Sequence, residues 1–432
     1  MKIGPVLCIM DNMKKLTLDN GLRVVLIPQE ASLATTVLVL VETGSKYETK
    51  EINGISHFLE HMCFKGTEKR PTAFAIASEL DGIGASYNAF TSQEYTGYYA
   101  KARPVHFDLI LDVVSDIYLH QKFDSQEIDR ERGVIIEEIN MMEDVPMRKV
   151  QNEFIGLMYG DQPAGWRISG TNEVVERLTR EDFVKYHGEH YVADGTIVVV
   201  AGKFDEQQAI DGIKNRFAGI ATAGKKGKQK TVESQNKPQV KLITKETDQT
   251  HLVLGVRAFD LFDPRRYALE LLADILGGGM SSRLFQKVRV EMGAAYYIGS
   301  GSDLSTDHGL LDVSAGIDHQ KIDEVIKAIV GELKRIADEP VSAQELARTK
   351  EHLIGGLVIG LETSDQLAGF YGSQEVLEHK METPEEVIAQ VQAVTTEQIQ
   401  AVAKDIIKNE GLNLAIIGPF KEKERFENIL VF

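Results

Sequence analysis

Two stretches of this chain, LTREDFVKYHGEHYVADGTIVVVAGKF at 178–204 and VTTEQIQAVAKDIIKNEGLNLAIIGPF at 394–420, carry one pattern. Each reads as helix, turn, buried strand, Gly-x-Phe and a second amphipathic helix, and the offset between them is 216 residues (394 − 178). Solenoid repeats recur every 20–50 residues or so, and an interval this long marks a duplicated domain instead. At 432 residues the chain also exceeds what one ordinary core fills. The polar, lysine-rich run TAGKKGKQKTVESQNKP falls near the middle. It predicts a linker at 222–238 between an N-terminal domain at 13–221 and a C-terminal domain at 239–432.

Within the first half, LTLDNGLRVVLIPQ holds an Asn-Gly turn between two alternating runs, and ATTVLVLVE is rich in β-branched residues, so both read as strands. A loop is expected at Gly44–Glu51, helices at about 54–64, 72–82, 104–120 and 125–144, and a strand pair in Ala85–Ala102. Hairpin signals outnumber strict strand-helix alternation. The fold class predicted is therefore α+β, with an antiparallel sheet packed against helices in each half.

The stretch NGISHFLEHMCFKGT, Asn53 to Thr67, falls on the first of those helices. His57, Glu60 and His61 stand at i, i+3 and i+4, so one turn of helix brings them to one face. Neutral imidazole is a good zinc ligand, and a carboxylate beside the metal can take a proton from water. The order H-x-x-E-H is the inverse of H-E-x-x-H, with the glutamate kept as base. A zinc hydrolase commonly has three protein ligands. The charged run DRERGVIIEEINMMED offers Glu131 and Glu138, seven residues apart on one helical face, whereas Glu137 turns toward solvent. The spacing alone leaves both glutamates open.

A formal charge of −17 argues against non-specific nucleic-acid binding, which needs Lys and Arg to neutralise phosphates. Two cysteines, Cys8 and Cys63, exclude a disulfide framework and suit a reducing compartment; Cys63 reads as a small buried hydrophobe. No apolar run approaches the roughly 20 residues of a membrane span. The short apolar patch at 3–10 lacks a basic flank and a cleavage site, and no Arg-rich transit segment is evident, so a cytoplasmic location is expected.

The run HFLEHMCFKGT followed by ERGVIIEEI resembles the family of zinc metallopeptidases that contains pitrilysin, insulin-degrading enzyme and mitochondrial processing peptidase. LDNGLRVVLIP, GSKYE, NAFTSQEYTGYY and GGGMSSRLFQKVRVEMGAAYYIGS resemble family segments in family order, so the similarity spans the chain. It implies two tandem homologous α/β-roll domains, of which only the first carries metal. It also implies one zinc per chain on His57, His61 and Glu138, the last lying 77 residues beyond His61 (138 − 61). Glu60 is then the general base, and Glu131 supports the site from behind the ligands. Arg289 and Tyr296 match an Arg/Tyr pair, seven apart, that comes from the metal-free domain to hold the scissile carbonyl, whereas Arg283 reads as structural. Asn88, Ala89, Phe90, Thr91 and Ser92 are expected to bind an unfolded peptide substrate as an added strand.

Only Gly277, Gly278 and Gly279 stand where the non-catalytic mitochondrial subunit has a long glycine-rich loop. An intact zinc set and the Arg/Tyr pair on one chain resemble the bacterial half-size members. Those form dimers, which implies a homodimer with Arg289 and Tyr296 acting in trans. Zinc-dependent endopeptidase activity on oligopeptides is the leading expectation. A site-specific precursor-processing peptidase, a non-catalytic assembly subunit and a zinc hydrolase of non-peptide substrates are the alternatives.

Overall fold

The computed structural model describes residues 13–432, so Cys8 and the apolar patch at 3–10 lie outside it. The strands run β1 (Lys14–Thr17), β2 (Arg23–Pro28), β3 (Thr35–Val41), β4 (Ser86–Thr91), β5 (Thr96–Ala102), β6 (Thr196–Gly202), β7 (Gln239–Thr244), β8 (Thr250–Ala258), β9 (Ala295–Leu304), β10 (Gly309–Ile317) and β11 (Asn413–Gly418). The helices of the first half are α1 (Ile55–Cys63), α2 (Ala73–Asp81), α3 (Phe107–Leu119), α4 (Ser125–Asp144), α5 (Pro146–Tyr159), α6 (Asn172–Arg177), α7 (Arg180–His190) and α8 (Glu206–Arg216). The second half adds α9 (Arg266–Gly277), α10 (Ile322–Asp338), α11 (Ala343–Ile359), α12 (Ser364–Glu378), α13 (Pro384–Ala393), α14 (Thr396–Ile406) and α15 (Lys423–Ile429). Among the described residues, no helix is long and apolar enough to cross a membrane.

Two compact units share one strand order. The first, residues 13–139 with Arg167–Gln229 and Val358–Thr383, holds the sheet β1-β2-β6-β3-β5-β4. The second, Asn140–Trp166 with Lys230–Leu357 and Pro384–Phe432, holds β7-β11-β8-β10-β9. Matching β2 through β6 with β7 through β11 in chain order gives identical neighbours, the topological counterpart of the repeat in the sequence. Each sheet is antiparallel except for one parallel pair, β2 with β6 and β7 with β11. The last strand of each half enters the middle of its sheet after a long helical crossover, which permits a parallel neighbour.

Each unit also takes a helix from the opposite half of the sequence. In the first unit one face of the sheet packs on Phe58, Leu59, Ile110, Val114 and Phe183. The other face packs on Leu367, Tyr371 and Val376 of α12. Gly372 lies so close to β3 that an added Cβ would sit 2.7 Å from the Leu40 side chain. In the second unit, Val150, Phe154 and Met158 of α5 cover Val253, Leu310 and Ile417 in the same way. Strands covered on both faces carry unbroken apolar runs rather than alternation, as VVLI of β2 and VLVLV of β3 do. Residues 222–238 form no helix and, before β7, no strand. In the first unit Lys225 pairs with Glu42 at 2.5 Å and Lys228 with Glu94; in the second, Thr231 N–H donates to Asp307 at 2.8 Å.

Helix α7 carries two imidazoles withdrawn from water, His190 buried and His187 half-buried. His187 Nε2 donates to the Tyr118 carbonyl at 3.2 Å, and the His190 ring lies 4.3 Å from that of Tyr186. Burial pushes both pKa values down to about 4. An unfolded histidine titrates near 6.5 or so, so the folded state favours the neutral ring. The stabilisation is full above about pH 6.5 and is lost as pH falls through about 4, by roughly 3 kcal/mol per ring. Urea midpoints are expected to drop steeply from pH 6.5 toward 4, and a His187→Gln, His190→Gln double variant to drop less over that interval.

Candidate metal centre

Helix α1 is held by its buried surroundings before any ligand is considered. Gly54 starts it at φ +100, and an added Cβ there would sit 2.6 Å from the Ser169 carbonyl oxygen. Its first-turn N–H groups have no partner within the helix. The buried carboxylate of Glu48 supplies one, accepting from Gly54 N–H at 2.7 Å, Ser56 N–H at 2.8 Å and the Asn53 amide at 2.8 Å. Ser56 Oγ bonds the Tyr186 hydroxyl at 2.8 Å, and the Phe58 ring meets Phe183 edge-on at 4.9 Å. Ile55, Phe58, Leu59, Met62 and Cys63 are buried, so the remaining face of the helix presents His57, Glu60 and His61 together. Burial pushes the Cys63 thiol up to about 12, which leaves it a packing group.

Helix α4 supplies the facing groups. Ile128, Glu131, Ile135 and Ile139 form its buried stripe, Glu138 is 31% exposed at its edge, and Glu137 is exposed. Glu138 Oε2 lies 3.7 Å from His57 Nε2 and 3.6 Å from His61 Nε2. These three groups offer ligand atoms that all lie within 4.8 Å of one another. Three tetrahedral ligands at zinc bond lengths of 2.0–2.2 Å stand about 3.3–3.6 Å apart. The donor set and its spacing therefore fit a zinc ion. Burial, and then the neighbouring His61, push the His57 pKa down to about 4, so its ring is neutral and keeps a lone pair at neutral pH.

The outer groups differ in what they hold. Glu131 Oε1 lies 2.9 Å from His61 Nδ1, whose N–H donates to it and leaves Nε2 as the lone-pair nitrogen. Lys65 Nζ lies 2.5 Å from the other oxygen of Glu131. Burial acts to raise the Glu131 carboxyl, but the bonds from His61 and Lys65 outweigh it and leave its pKa lowered. His57 Nδ1 is buried without a hydrogen-bond partner, so His61 is the ring that is tethered. Glu60 accepts from Thr91 Oγ1 at 2.5 Å, and burial raises its pKa against that bond.

Strand β4 ends at Thr91 and forms the open edge of its sheet beside β5. Asn88 is exposed, with its Oδ1 accepting from Ala89 N–H at 2.9 Å; Phe90 is 37% exposed. Ser92 lies one residue beyond the strand, where its hydroxyl donates to the Tyr95 carbonyl at 2.8 Å and closes the turn. In the second unit, Arg289 lies in the π-helical segment Phe285–Glu291 and Tyr296 on β9 is 72% exposed. The Arg289 guanidinium is 5.9 Å from the Tyr296 ring and 5.4 Å from that of Phe285, so the structure brings this pair together. Arg283 is occupied by Glu345, at 2.9 and 2.8 Å. Sequence reasoning missed Glu48, Lys65 and the Thr91–Glu60 bond. Lys65, inside the FKGT run, and Glu48, the last residue of GSKYE, both lay in segments already singled out, and Thr91 was expected only to meet substrate.

A duplicated α+β roll with a His, His, Glu cluster in one unit defines the metallohydrolase-like class of two-domain folds. Two family descriptions match the chain: "Insulinase (Peptidase family M16)" over residues 23–172 and "Peptidase M16 inactive domain" over 177–353. The zinc protease YmxG of Bacillus subtilis, itself described as uncharacterized, is 36% identical over 94% of this chain and 98% of its own length. An uncharacterized zinc protease of Streptomyces coelicolor is 34% identical, over 95% of this chain and 90% of its own. The crystal structure of a protease from Helicobacter pylori superposes with a TM-score of 0.89 at 23% identity, covering 94% of this chain and 99% of that one. The chain belongs to the insulinase family, peptidase family M16, as a half-size member.

Proposed function

We propose that this chain is a zinc-dependent endopeptidase that hydrolyses unfolded peptides, with one zinc held by His57, His61 and Glu138. The observation that carries the reading is the cluster itself, two imidazoles and a carboxylate with ligand atoms within 4.8 Å of one another, with Glu60 one residue from a ligand. Similarity to relatives named zinc proteases supports it. The part of the chain matching the description "inactive domain" starts at residue 177, beyond all three candidate ligands, which favours an active enzyme over an assembly subunit.

When bound, zinc supplies a Lewis acid that polarises the peptide carbonyl and acidifies water. Glu60 removes the proton of the attacking water through Oε1, the oxygen that Thr91 leaves free, and returns it to the departing amine. Glu131 keeps His61 in the right tautomer and orientation. The open edge at Asn88, Ala89, Phe90 and Thr91, with Ser92 fixing the turn, pairs with the substrate backbone as an added strand. Such pairing makes little demand on sequence and excludes folded chains. Arg289 and Tyr296 of a second copy donate hydrogen bonds to the scissile carbonyl oxygen as it gains charge.

The in-trans arrangement has a direct test by subunit mixing. Glu60→Gln and Arg289→Ala proteins, each nearly inactive on a quenched peptide, are expected to recover measurable cleavage when mixed and allowed to exchange. No recovery, or a fully active monomer by light scattering, would remove the dimer from the proposal. A location in the cytoplasm and the absence of nucleic-acid partners belong to the same reading and follow from the acidic charge and cysteine usage.

A further inference from the structure

Lys65 completes a line of contacts that ends on a candidate ligand. Its Nζ is 2.5 Å from Glu131 Oε2, and Oε1 of that carboxylate is 2.9 Å from His61 Nδ1. Among the described residues, these are the two side chains bonded to Glu131. A carboxylate turns easily about its terminal torsion, which is broad and only roughly two-fold. One bond, to His61, would leave the carboxylate plane free to rotate and the imidazole free to follow. The ion pair with Lys65, on the other oxygen, restrains that rotation. The setting is semi-enclosed: the Glu131 side chain is 8% exposed, in the apolar stripe between Ile128 and Ile135, and Lys65 is 26% exposed. The site depends on this tether because His57 Nδ1 has none of its own.

We infer that Lys65 is a positioning residue for the metal centre, fixing Glu131 so that His61 presents Nε2 to the ion. The inference rests on the reading of His57, His61 and Glu138 as zinc ligands, and it adds a residue to the machinery described above. Lys65 acts through Glu131 and touches neither metal nor substrate. It lines a cavity of about 480 Å³ beside Met62, Pro71, Phe74 and Phe123, so the longer arginine fits where lysine stands. A guanidinium also matches a carboxylate with two parallel donors. The charge and its reach, not the lysine stem, are what the site requires.

The test uses the full chain as Lys65→Met, Lys65→Arg and Glu131→Gln. Zinc dissociation constants are measured by competition with a coloured chelator, and thermal midpoints on the metal-stripped proteins. Partners behind metal ligands typically contribute roughly 10–100-fold to affinity or activity. Lys65→Met is expected to bind zinc about 10-fold more weakly, at the lower end of that range, with kcat falling and KM unchanged. Lys65→Arg is expected to recover most of the loss, and the metal-stripped midpoints to stay together. Unchanged zinc affinity in Lys65→Met, with Glu131→Gln weakened, would overturn the role of Lys65 and leave the ligand set standing. A lowered metal-stripped midpoint in Lys65→Met, without recovery of zinc affinity in Lys65→Arg, would make the contact structural and overturn it too. A wild-type chain that takes up no stoichiometric zinc would overturn the ligand reading beneath it.

Discussion

Replacing Glu60 with glutamine is expected to lower kcat by about 10²- to 10⁴-fold while zinc content stays at one per chain. The amide keeps the shape of the side chain and still accepts from the Thr91 hydroxyl, 2.5 Å away in the wild type. It loses the one property the proposal assigns to it, the capacity to take a proton. Glu60 is not one of the clustered ligand atoms, so the metal should remain. The check is a quenched-peptide assay beside metal analysis of the same preparation. Full activity with zinc retained would place the base elsewhere.

Glu138→Gln is expected to act on the metal. It replaces the anionic donor of the three with a neutral amide and leaves two imidazoles. Zinc affinity should fall by more than about 100-fold, the upper end of what a partner behind the ligands contributes. Activity at limiting zinc should fall with it. Glu131→Gln should cost less, within that outer range, because its carboxylate faces His61 Nδ1 rather than the cluster. Chelator competition on the two variants side by side gives the ranking. A reversed order would exchange the roles of the two glutamates.

That pair also shows where the sequence stops being legible. Seven residues on a helix return to the same face but advance roughly 10 Å along the axis. Spacing therefore placed Glu131 and Glu138 together without saying which meets the two Nε2 atoms. Family resemblance chose Glu138, and the structure places its Oε2 at 3.7 and 3.6 Å from them. The elements around the site followed from local pattern: α1, α2, α3 and α4 fall within two or three residues of the helices expected from periodicity. Long-range partners did not, because nothing local marks them. Glu48 sits in what reads as a loop, yet its carboxylate anchors the start of α1. That each unit takes a helix, α12 or α5, from the opposite half of the sequence left only an indirect sign, the unbroken apolar runs of β2, β3 and β6 that demand cover on both faces.

The central claim is that the cluster on α1 and α4 hydrolyses internal peptide bonds through one zinc. The most direct measurement is a mass-spectrometric digest of mixed unfolded peptides by the chain as purified, after zinc stripping, and after return of one equivalent of zinc. The account predicts new internal termini in the first sample, none in the second, and their reappearance in the third. Intact peptides in all three, with one zinc bound per chain, would contradict it.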